Sequence, residues 1–441
     1  MATGSRHSAL GTRHSATVVG GGLAGAEAAW ALAERGVEVT LVEMRPSIPT
    51  AAHQTGRLAE LVCSNSFKSV ETANAHGLLK AELRSLGSIL LTAADRARVP
   101  GGSALVVDRE VFSQTIDDQI RSHPNIRVVA EEATELPRPG IVATGPLTSE
   151  KLAVAIAAEL GQDSLAFYDA IAPIVSAESL DHSVLYAMSR YGKGDGDDYL
   201  NAPMTKPEYG AFLKALGEAD QFTAHEFDKV PYFEGCLPVE EMARRGAETL
   251  RFGPMKPVGL RDPRTGRIPH AVVQLRREDK AAQMWNLVGF QTRLRIPEQQ
   301  RVFRMIPGLA GAEFFRYGSI HRNSYINTPA ALGPGLTRGT TFFAGQLTGV
   351  EGYTESLGTG ILAGINLHRA LAGMPPVIPP PTTMLGALYR YLAEADPKHF
   401  QPMNANFGLV EPLPDGSPKH ERRAKLVERA ERDFAAWRAT L

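Results

Sequence analysis

The chain has 441 residues, of which 43% are hydrophobic, and a formal net charge of −1. It is long enough to bury a sizeable core and too long for one ordinary domain, and its net charge gives no global sign of a nucleic-acid partner. No run approaches the ~20 apolar residues of a membrane span. Its two cysteines, Cys63 and Cys236, form no CxxC motif, which argues against a disulfide scaffold or a structural zinc site and favours a reducing, cytoplasmic setting.

The residue pattern of the N-terminal part predicts a loose extension followed by a dinucleotide-binding motif. Residues 1–15 are polar and basic without the apolar stretch of a secretory signal. From Thr17 a strand pattern breaks into GGGLAG, an alanine-rich helix pattern follows, and a second strand pattern ends at Glu43. That acid lies 18 residues after the last glycine, close to the ~20 expected for a residue that binds an adenosine ribose.

Three glycines of this motif have predicted structural roles. Gly20 permits a tight turn, Gly22 lets the backbone approach a pyrophosphate, and Gly25 lets helix and strand pack closely. The phosphates are expected on the free N–H groups of the helix N-terminus. The alternative is a glycine turn in an α/β domain that binds no dinucleotide, but the flanking strands, the helix and the acid favour binding. The predicted cofactor-binding residues here are Gly20, Gly21, Gly22, Leu23, Ala24, Gly25 and Glu43.

The next segment predicts further α/β elements. A polar stretch, LVCSNSFKS (61–69), precedes a helix pattern at about 73–86, and strand patterns follow at 104–107, 126–130 and 141–143. Asp108 is expected to cap a helix that runs to about Ile120. The last strand runs into Thr144 and Gly145, and a short strand ending in Ala-Thr-Gly recurs in two-dinucleotide flavoproteins. Taken alone that signal is weak.

The composition changes from about residue 150, which predicts an inserted domain. Residues 191–209 read as a loop that no regular element tolerates. Residues 244–304 contain 14 Lys and Arg against 5 Asp and Glu, a surplus that suits phosphate contacts but also a solvated helical face.

An apolar strand pattern returns at 340–344 and leads into AGQLTGVEGYTESLGTG (344–360), followed by a helix to about Leu371. A second glycine-rich junction suits a discontinuous FAD domain, in which Gly358 and Gly360 present the helix N-terminus to the cofactor. Gly345 and Gln346 are also predicted cofactor contacts. The alternative is helix packing that tolerates glycine.

The predicted fold class is therefore α/β: a discontinuous Rossmann-type FAD-binding domain with an inserted α/β domain and a helical C-terminal tail. The predicted domains are the extension 1–15, the FAD-binding domain 16–150 and 330–373, the insert 151–329, and a C-terminal helical segment 374–441, the last part of which is charged and expected to be exposed.

Two cysteines and one short segment are candidate reactive or binding groups. Pro238 suits the first turn of a helix, so Cys236 is expected just ahead of a helix N-terminus, where the dipole favours a thiolate. Cys63 lies in a polar stretch, which argues against inert burial, although base rates favour burial for cysteine. His321 and Tyr325 lie in GSIHRNSYINTP (318–329), which is either a hydrogen-bonded turn or a wall of the flavin pocket.

Taken together, the motifs resemble one family, the folate- and FAD-dependent tRNA (uracil-5-)-methyltransferases of the TrmFO type. The motifs that carry the resemblance are VVGGGLAGAEAA, LVCSNSFKS, VATGPLTS, FEGCLPVEEMARRG followed by FGPMKPVGL, GSIHRNSYINTP and AGQLTGVEGYTESLGTG. They span about residues 17–370 in the order typical of the family, and the pair EGC-P with GPMKP is its specific part. The glycine motif and the ATG strand also occur in the related wobble-uridine modification proteins of the GidA (MnmG) type.

The resemblance implies methylation of C5 of the T-loop uridine of tRNA, position 54. A thiolate would add to C6 of the uracil, C5 would take the methylene group of 5,10-methylenetetrahydrofolate, and reduced FAD would supply hydride before NADPH or NADH re-reduces the flavin. The uridine would have to turn out of its stack, and the basic insert would contact tRNA phosphates. No membrane and no obligatory protein partner are expected.

By resemblance, Cys236 is the nucleophile toward C6, and Cys63 lies near the isoalloxazine, shaping the site or assisting proton abstraction. The two roles could be exchanged. His321 and Tyr325 are candidates for lining the folate and flavin stack. Three other interpretations remain open: a GidA-like wobble-uridine enzyme that needs a partner protein, a flavin oxidoreductase acting on a small molecule, and a non-enzymatic RNA-binding flavoprotein.

Overall fold

The computed structural model describes residues 14–50, 52–161, 165–222, 237–414, 418 and 420–441, with the backbone alone for 165–171 and 320–323. Predictions for residues 1–13 and for Cys236 lie outside these residues. None of the helices in these ranges is both long and apolar enough to cross a membrane.

The described residues form strands and helices throughout. The strands are β1 (Ser15–Val19), β2 (Glu38–Glu43), β3 (Ser66–Ser69), β4 (Arg98–Val99), β5 (Ala104–Val107), β6 (Ile126–Ala130), β7 (Gly140–Val142), β8 (Leu165–Ile171), β9 (Ile174–Ser176), β10 (Tyr186–Ala187), β11 (Tyr199–Met204), β12 (Ala271–Arg277), β13 (Met284–Leu287), β14 (Phe314–Arg316), β15 (Ser319–Tyr325), β16 (Thr337–Arg338) and β17 (Thr341–Phe343). The α-helices are α1 (Leu23–Ala33), α2 (Ala75–Ser85), α3 (Ile89–Arg96), α4 (Arg109–Ser122), α5 (Glu150–Leu160), α6 (Lys206–Glu218), α7 (Val239–Arg244), α8 (Thr249–Phe252), α9 (Ile296–Phe303), α10 (Thr328–Ala331), α11 (Tyr353–Leu371), α12 (Met384–Glu394) and α13 (Arg422–Arg438).

The first sheet has the strand order β16-β17-β7-β1-β2-β6, and all its pairs are parallel except β16 with β17. One of its two central strands, β1, lies between β2 and β7, and its residues Ala16, Val18 and Val19 are buried, as expected for a parallel strand covered on both faces. The chain leaves this sheet after β7 and returns about 200 residues later as β17, which pairs with β7. The predicted fold class, a discontinuous Rossmann-type domain with an α/β insert, is confirmed.

The intervening chain builds a second, antiparallel sheet of order β10-β11-β12-β13-β9-β14 with its own apolar core. A separate antiparallel ladder of β8 and β15 pairs seven residues on each strand, from Ser319 with Ile171 to Tyr325 with Leu165. This ladder lies where the chain enters and leaves the insert, and it therefore ties the two crossings to each other.

The prediction of a loop over 191–209 is wrong in its second half. Strand β11 occupies 199–204, where Leu200 and Ala202 are buried and pair along β12. Thr205 then starts α6 with a reciprocal cap, in which its hydroxyl accepts from the Glu208 N–H and the Glu208 carboxylate accepts from the Thr205 N–H. Pairing with neighbouring strands and this cap stabilise regular structure here, although the composition of the segment is typical of a loop.

The C-terminal helices pack on the first domain. α12 buries one face there, and α13, predicted to be exposed, inserts Leu426, Ala430 and Phe434 into the same core. Its remaining face is charged and exposed. The helix is thus amphipathic, and its three apolar residues, at helical spacing, anchor the tail.

Candidate active site

The glycine turn between β1 and α1 adopts a geometry that only glycine allows. Gly20 has φ +101°, and a Cβ at Gly25 would stand 1.7 Å from the Gly20 carbonyl oxygen. Gly22 caps α1 without a side-chain hydrogen bond, and a Cβ there would meet no atom within 4 Å. The backbone of Gly22 therefore borders open space at a helix N-terminus, which is where an anionic group binds most favourably.

Glu43, at the end of β2, lies beside this turn. Its carboxylate accepts hydrogen bonds from the Gly21 N–H (2.7 Å) and from the Arg45 side chain (2.8 Å). Burial by itself would raise the pKa of Glu43, but the Arg45 guanidinium and the backbone donors outweigh burial and lower it. Glu43 is thus held as a carboxylate with lone pairs left for a ribose hydroxyl.

A cavity of about 340 Å³ runs along these residues, within the usual size range of cofactor sites. It is lined from the first domain by Gly20, Gly22, Leu23, Ala24, Glu43, Cys63, Thr144, Gly345, Gln346 and Tyr353, and from the insert by Gln291. The residues present fit FAD: a glycine turn and a helix N-terminus suit a pyrophosphate, and Glu43 suits an adenosine ribose.

The second helix N-terminus at this cavity differs from the prediction. Helix α11 begins at Tyr353 after Gly352 (φ +119°), so Gly352 and Tyr353 border the cavity. Gly358 and Gly360, predicted at the helix start, lie in its second turn and beyond. A Cβ at Gly360 would stand 2.2 Å from the Ala24 carbonyl oxygen, and one at Gly358 would stand 2.8 Å from Leu385. These two glycines therefore permit close packing of α11 and are not among the cavity-lining residues.

Cys63 lines the cavity on a loop whose backbone is held by hydrogen bonds to partly buried side chains. Its backbone N–H donates to the Tyr353 hydroxyl (3.0 Å), and its carbonyl accepts from the Arg109 guanidinium (2.9 Å). Arg109 also bonds the Leu61 carbonyl and the buried Glu278, while Arg316 donates to the Val62 carbonyl. The Cys63 loop is thus fastened both to the start of α11 and to the insert.

Asn65 completes this attachment. It is fully buried, its amide donates to the carbonyls of Val107 and Arg277, and its side-chain oxygen accepts from Arg276. One side chain therefore links the Cys63 loop to a strand of each domain.

Cys236 lies outside the described residues, but the residues that follow it do not. Leu237 is buried, and α7 begins at Val239 after Pro238, as the sequence predicted. The Val239 N–H donates to the carbonyl of Gln291 at 2.7 Å, and Gln291 lines the cavity. The chain that carries Cys236 is therefore anchored next to a residue of the cavity wall.

Of the two remaining candidates, Tyr325 is not among the cavity-lining residues, and the side chain of His321 lies outside the described part of the chain. Tyr325 is 6% exposed, and its ring packs 6.0 Å from that of Phe400 in the core of the first domain; its role in the flavin stack stays a prediction. The backbone of His321 pairs with Asp169 in the ladder of β8 and β15.

Sequence reasoning missed several residues at the site. Lys68 has a left-handed backbone (φ +63°) and contacts Asn404 (3.1 Å), and both line the cavity. Such strain is typical of functional sites. Arg109 and Arg316 carried no sequence signal, because an arginine that reaches backbone carbonyls across a fold belongs to no local motif. Tyr353 lies inside the recognised AGQLTGVEGYTESLGTG motif, which was the available signal.

The contacts of Glu355, in the first turn of α11, predict that the stability of the protein depends on pH. Its buried carboxylate accepts from the Ala405 N–H and lies 3.1 Å from His76. Burial alone would raise its pKa, but the His76 contact and the charge of Lys68 outweigh burial and lower the pKa to about 2. Because the pKa is below its unfolded value, the stabilisation is complete above about pH 4.5 and is lost as the pH falls toward 2.

We expect the wild type to exceed Glu355→Gln in free energy of unfolding by a pH-independent margin above pH 5. This margin should shrink by on the order of 3 kcal/mol between pH 4.5 and 2. Denaturant unfolding at a series of pH values measures it, and the other buried acids cancel in the difference. A margin that does not change between pH 5 and 2 would contradict this assignment.

The fold and the site together define a protein of the two-dinucleotide flavoprotein class, and comparison with known proteins defines its family. The model of the family described as glucose inhibited division protein A matches residues 15–375. The methylenetetrahydrofolate--tRNA-(uracil-5-)-methyltransferase TrmFO of Geobacter sulfurreducens is 57% identical over 430 residues, which cover 96% of this chain and 99% of that protein. The protein of the same name from Thermus thermophilus is 55% identical over 425 residues, with 95% of each chain covered.

Among solved structures, Aquifex aeolicus GidA in its form II crystal aligns with a TM-score of 0.68 at 17% identity, covering 96% of this chain and 73% of that one. In the form I crystal the TM-score is 0.69 at 16% identity, with 96% and 76% covered. These likenesses show the shared fold. The chain belongs to the TrmFO family, within the wider GidA family.

Proposed function

We propose that this protein methylates C5 of the T-loop uridine of tRNA, position 54, giving 5-methyluridine. The methylene group comes from 5,10-methylenetetrahydrofolate, and NADPH or NADH is the reductant. The observation that carries the proposal is the 53–57% identity, over nearly the whole chain, to relatives named for this activity. The cavity supports the proposal, because the glycine turn, Glu43 and Cys63 all line it.

In this scheme Cys236 attacks C6 of the uracil. A thiolate adds readily to a conjugated carbon and leaves again, which a hydroxyl or carboxylate does not. Cys236 precedes Val239 by three residues, which span at most about 11 Å, and Val239 is bonded to the cavity-lining Gln291. This covalent tether limits how far the thiol can lie from the cavity.

Cys63 is the second thiol of the scheme and stands beside the cofactor. The Arg109 and Tyr353 bonds hold its backbone in place at the cavity wall. It shapes the site or assists removal of the C5 proton. Bound FAD, once reduced, supplies the hydride that completes the methyl group. Glu43 and the α1 N-terminus hold the cofactor in place, so that the protein contributes placement rather than redox chemistry.

The insert contacts the tRNA, and the uridine turns out of its stack to reach the cavity. Of the 14 cations at 244–304, some serve the fold: Arg276 bonds Asn65, and Arg293 bonds Gln221. Nine others are exposed and can meet phosphates: Arg244, Arg245, Arg261, Arg264, Arg267, Lys280, Arg295, Arg301 and Arg304. The enzyme acts in the cytoplasm without an obligatory protein partner.

The experiment is a covalent-adduct assay on the flavin-loaded protein. A T-loop RNA with 5-fluorouridine at the target position cannot lose its C5 substituent, so the thiol adduct at C6 is retained. We expect a protein–RNA band that survives a denaturing gel in the wild type and disappears in Cys236→Ala. A band lost only in Cys63→Ala would exchange the two roles, and a wild type without a band would contradict the thiol mechanism.

A second measurement separates the remaining alternatives. Purified protein with labelled methylenetetrahydrofolate should methylate a T-loop transcript without any added protein. A requirement for a partner would favour the wobble-uridine type of enzyme. NAD(P)H oxidation without any tRNA methylation would favour a small-molecule oxidoreductase.

A further inference from the structure

An exposed aromatic side chain stands at a surface concavity of the insert. Phe252, the last residue of α8, is 79% exposed, although burying a side chain of this size is normally favourable by about 1.5–3 kcal/mol. It borders an open concavity that is also lined by Leu237, Arg245 and Thr249. Single exposed apolar side chains are common, so what distinguishes Phe252 is its place at the rim of this concavity.

A second exposed aromatic residue lies at the other end of the adjoining loop. Tyr191 is 64% exposed and has a left-handed backbone (φ +59°), which costs on the order of 1–3 kcal/mol for a non-glycine residue. Its ring lies against Gly259, where a Cβ would approach it to 2.7 Å. Arg190 bonds the carbonyls of Lys256 and Val258. The loop 253–259 is thus fixed between two exposed rings.

The segment that carries Phe252 and the loop 253–259 is basic. Residues 244–267 contain seven Lys and Arg against two carboxylates, Glu248 and Asp262. Both carboxylates are paired within the segment, with Arg251 and Arg264 respectively. The segment therefore presents net positive charge, which complements a polyanion and disfavours a basic or neutral protein partner.

One residue that lines the concavity is next in sequence to the proposed catalytic cysteine. Leu237, which lines the concavity, is the residue directly after Cys236. Two residues further on, Val239 bonds the cavity-lining Gln291. A polynucleotide held by the ring of Phe252 would therefore lie beside the chain segment that begins at Leu237.

We propose that the surface formed by Phe252, Tyr191 and the loop 253–259 binds unpaired tRNA bases, with each ring stacking on one base. The inference rests on the proposed function and deepens it. Exposed aromatic rings set among cations are the arrangement that binds single-stranded nucleic acid, because every base has a π-face. A duplex offers no free base face to these rings, so the bases they hold are ones that leave the T-loop stack when the target uridine is exposed.

The test measures binding of a T-loop hairpin RNA to the flavin-loaded protein by fluorescence anisotropy. We expect Phe252→Ala to raise Kd by about 5- to 150-fold, which is the loss of one base–aromatic stack. Phe252→Trp should restore binding to near the wild-type value. The salt dependence of Kd should stay unchanged, because no phosphate contact is lost. The control is Val154→Ala on α5, a helix that packs on the first sheet through Leu152 and Ile156. It truncates a side chain that is 70% exposed and should leave Kd unchanged.

Flavin absorbance and melting temperature show whether each variant is folded. A wild-type Kd for Phe252→Ala, or an equal loss of affinity for a fully paired duplex, would overturn the stacking inference while leaving the proposed methylation intact. A wild-type protein that neither binds nor methylates the hairpin would instead overturn the proposed function and this inference with it.

Discussion

Replacing Gly25 with alanine is expected to lower the free energy of unfolding by about 3 kcal/mol or more and to abolish flavin binding. The new Cβ would stand 1.7 Å from the carbonyl oxygen of Gly20, far inside van der Waals contact. Backbone cannot rotate away as a side chain can, so the cost lies at or above the upper end of ordinary overpacking. Denaturant unfolding and the flavin absorbance of the purified protein measure the two effects.

Gly22→Ala is the matched control, because the two positions lie three residues apart in one turn. A Cβ at Gly22 meets no protein atom within 4 Å, and its φ of −76° suits alanine. We therefore expect the flavin-free protein to lose no more than about 1 kcal/mol of stability, the difference between glycine and alanine at a helix N-cap. Flavin affinity should fall about 10- to 100-fold, because a displaced pyrophosphate loses a charge-assisted hydrogen bond of about 1.5–3 kcal/mol. Wild-type flavin affinity in Gly22→Ala would show that no phosphate lies against this turn.

Arg109→Met is expected to lower the free energy of unfolding by about 3–5 kcal/mol, because it leaves a buried carboxylate without its cation. The guanidinium contacts Glu278, which is 2% exposed, at 2.5 Å. Burial would lower the pKa of Arg109, but the charge of Glu278 outweighs burial and raises it, so the guanidinium keeps its charge. The same substitution removes the bonds to the carbonyls of Leu61 and Cys63.

The double variant Arg109→Met with Glu278→Gln separates the two consequences. Removing the orphaned charge should recover part of the lost stability and give a coupling energy of about 1–3 kcal/mol. The position of the Cys63 loop should not recover, so methylation activity should remain low when stability does. Additive losses in the two single variants would contradict a direct ion pair, and full recovery of activity would show that Arg109 does not position Cys63.

The strand–turn–helix–strand unit could be predicted because its information is local. The predicted strands at 104–107 and 126–130 have the observed bounds, and Asp108 caps α4 through its side chain, which accepts from Glu110 and Val111 N–H groups. In each case a short apolar run or a capping residue suffices, since neighbouring residues set the backbone conformation.

The start of α11 illustrates what local patterns leave undecided. GYTESLGTG contains three glycines, Gly352, Gly358 and Gly360, and the sequence pattern predicted the helix start at the last two. Contacts decide it: Tyr353 is fastened to the Cys63 loop, and Gly360 fits against Ala24 of α1. Both partners lie hundreds of residues away along the chain, so the residue pattern of this segment cannot reveal these contacts.

By itself the sequence determined the nucleotide-binding turn, the fold class, the family and the two thiols as candidates, because glycine spacing, apolar periodicity and motif order are properties of neighbouring residues. Only the tertiary structure decided which side chains surround Cys63, that Tyr325 faces a core rather than the cavity, and that Phe252 and Tyr191 are left exposed beside basic residues. Burial and contact between distant segments depend on how the two sheets pack, and that packing is set by the whole chain at once.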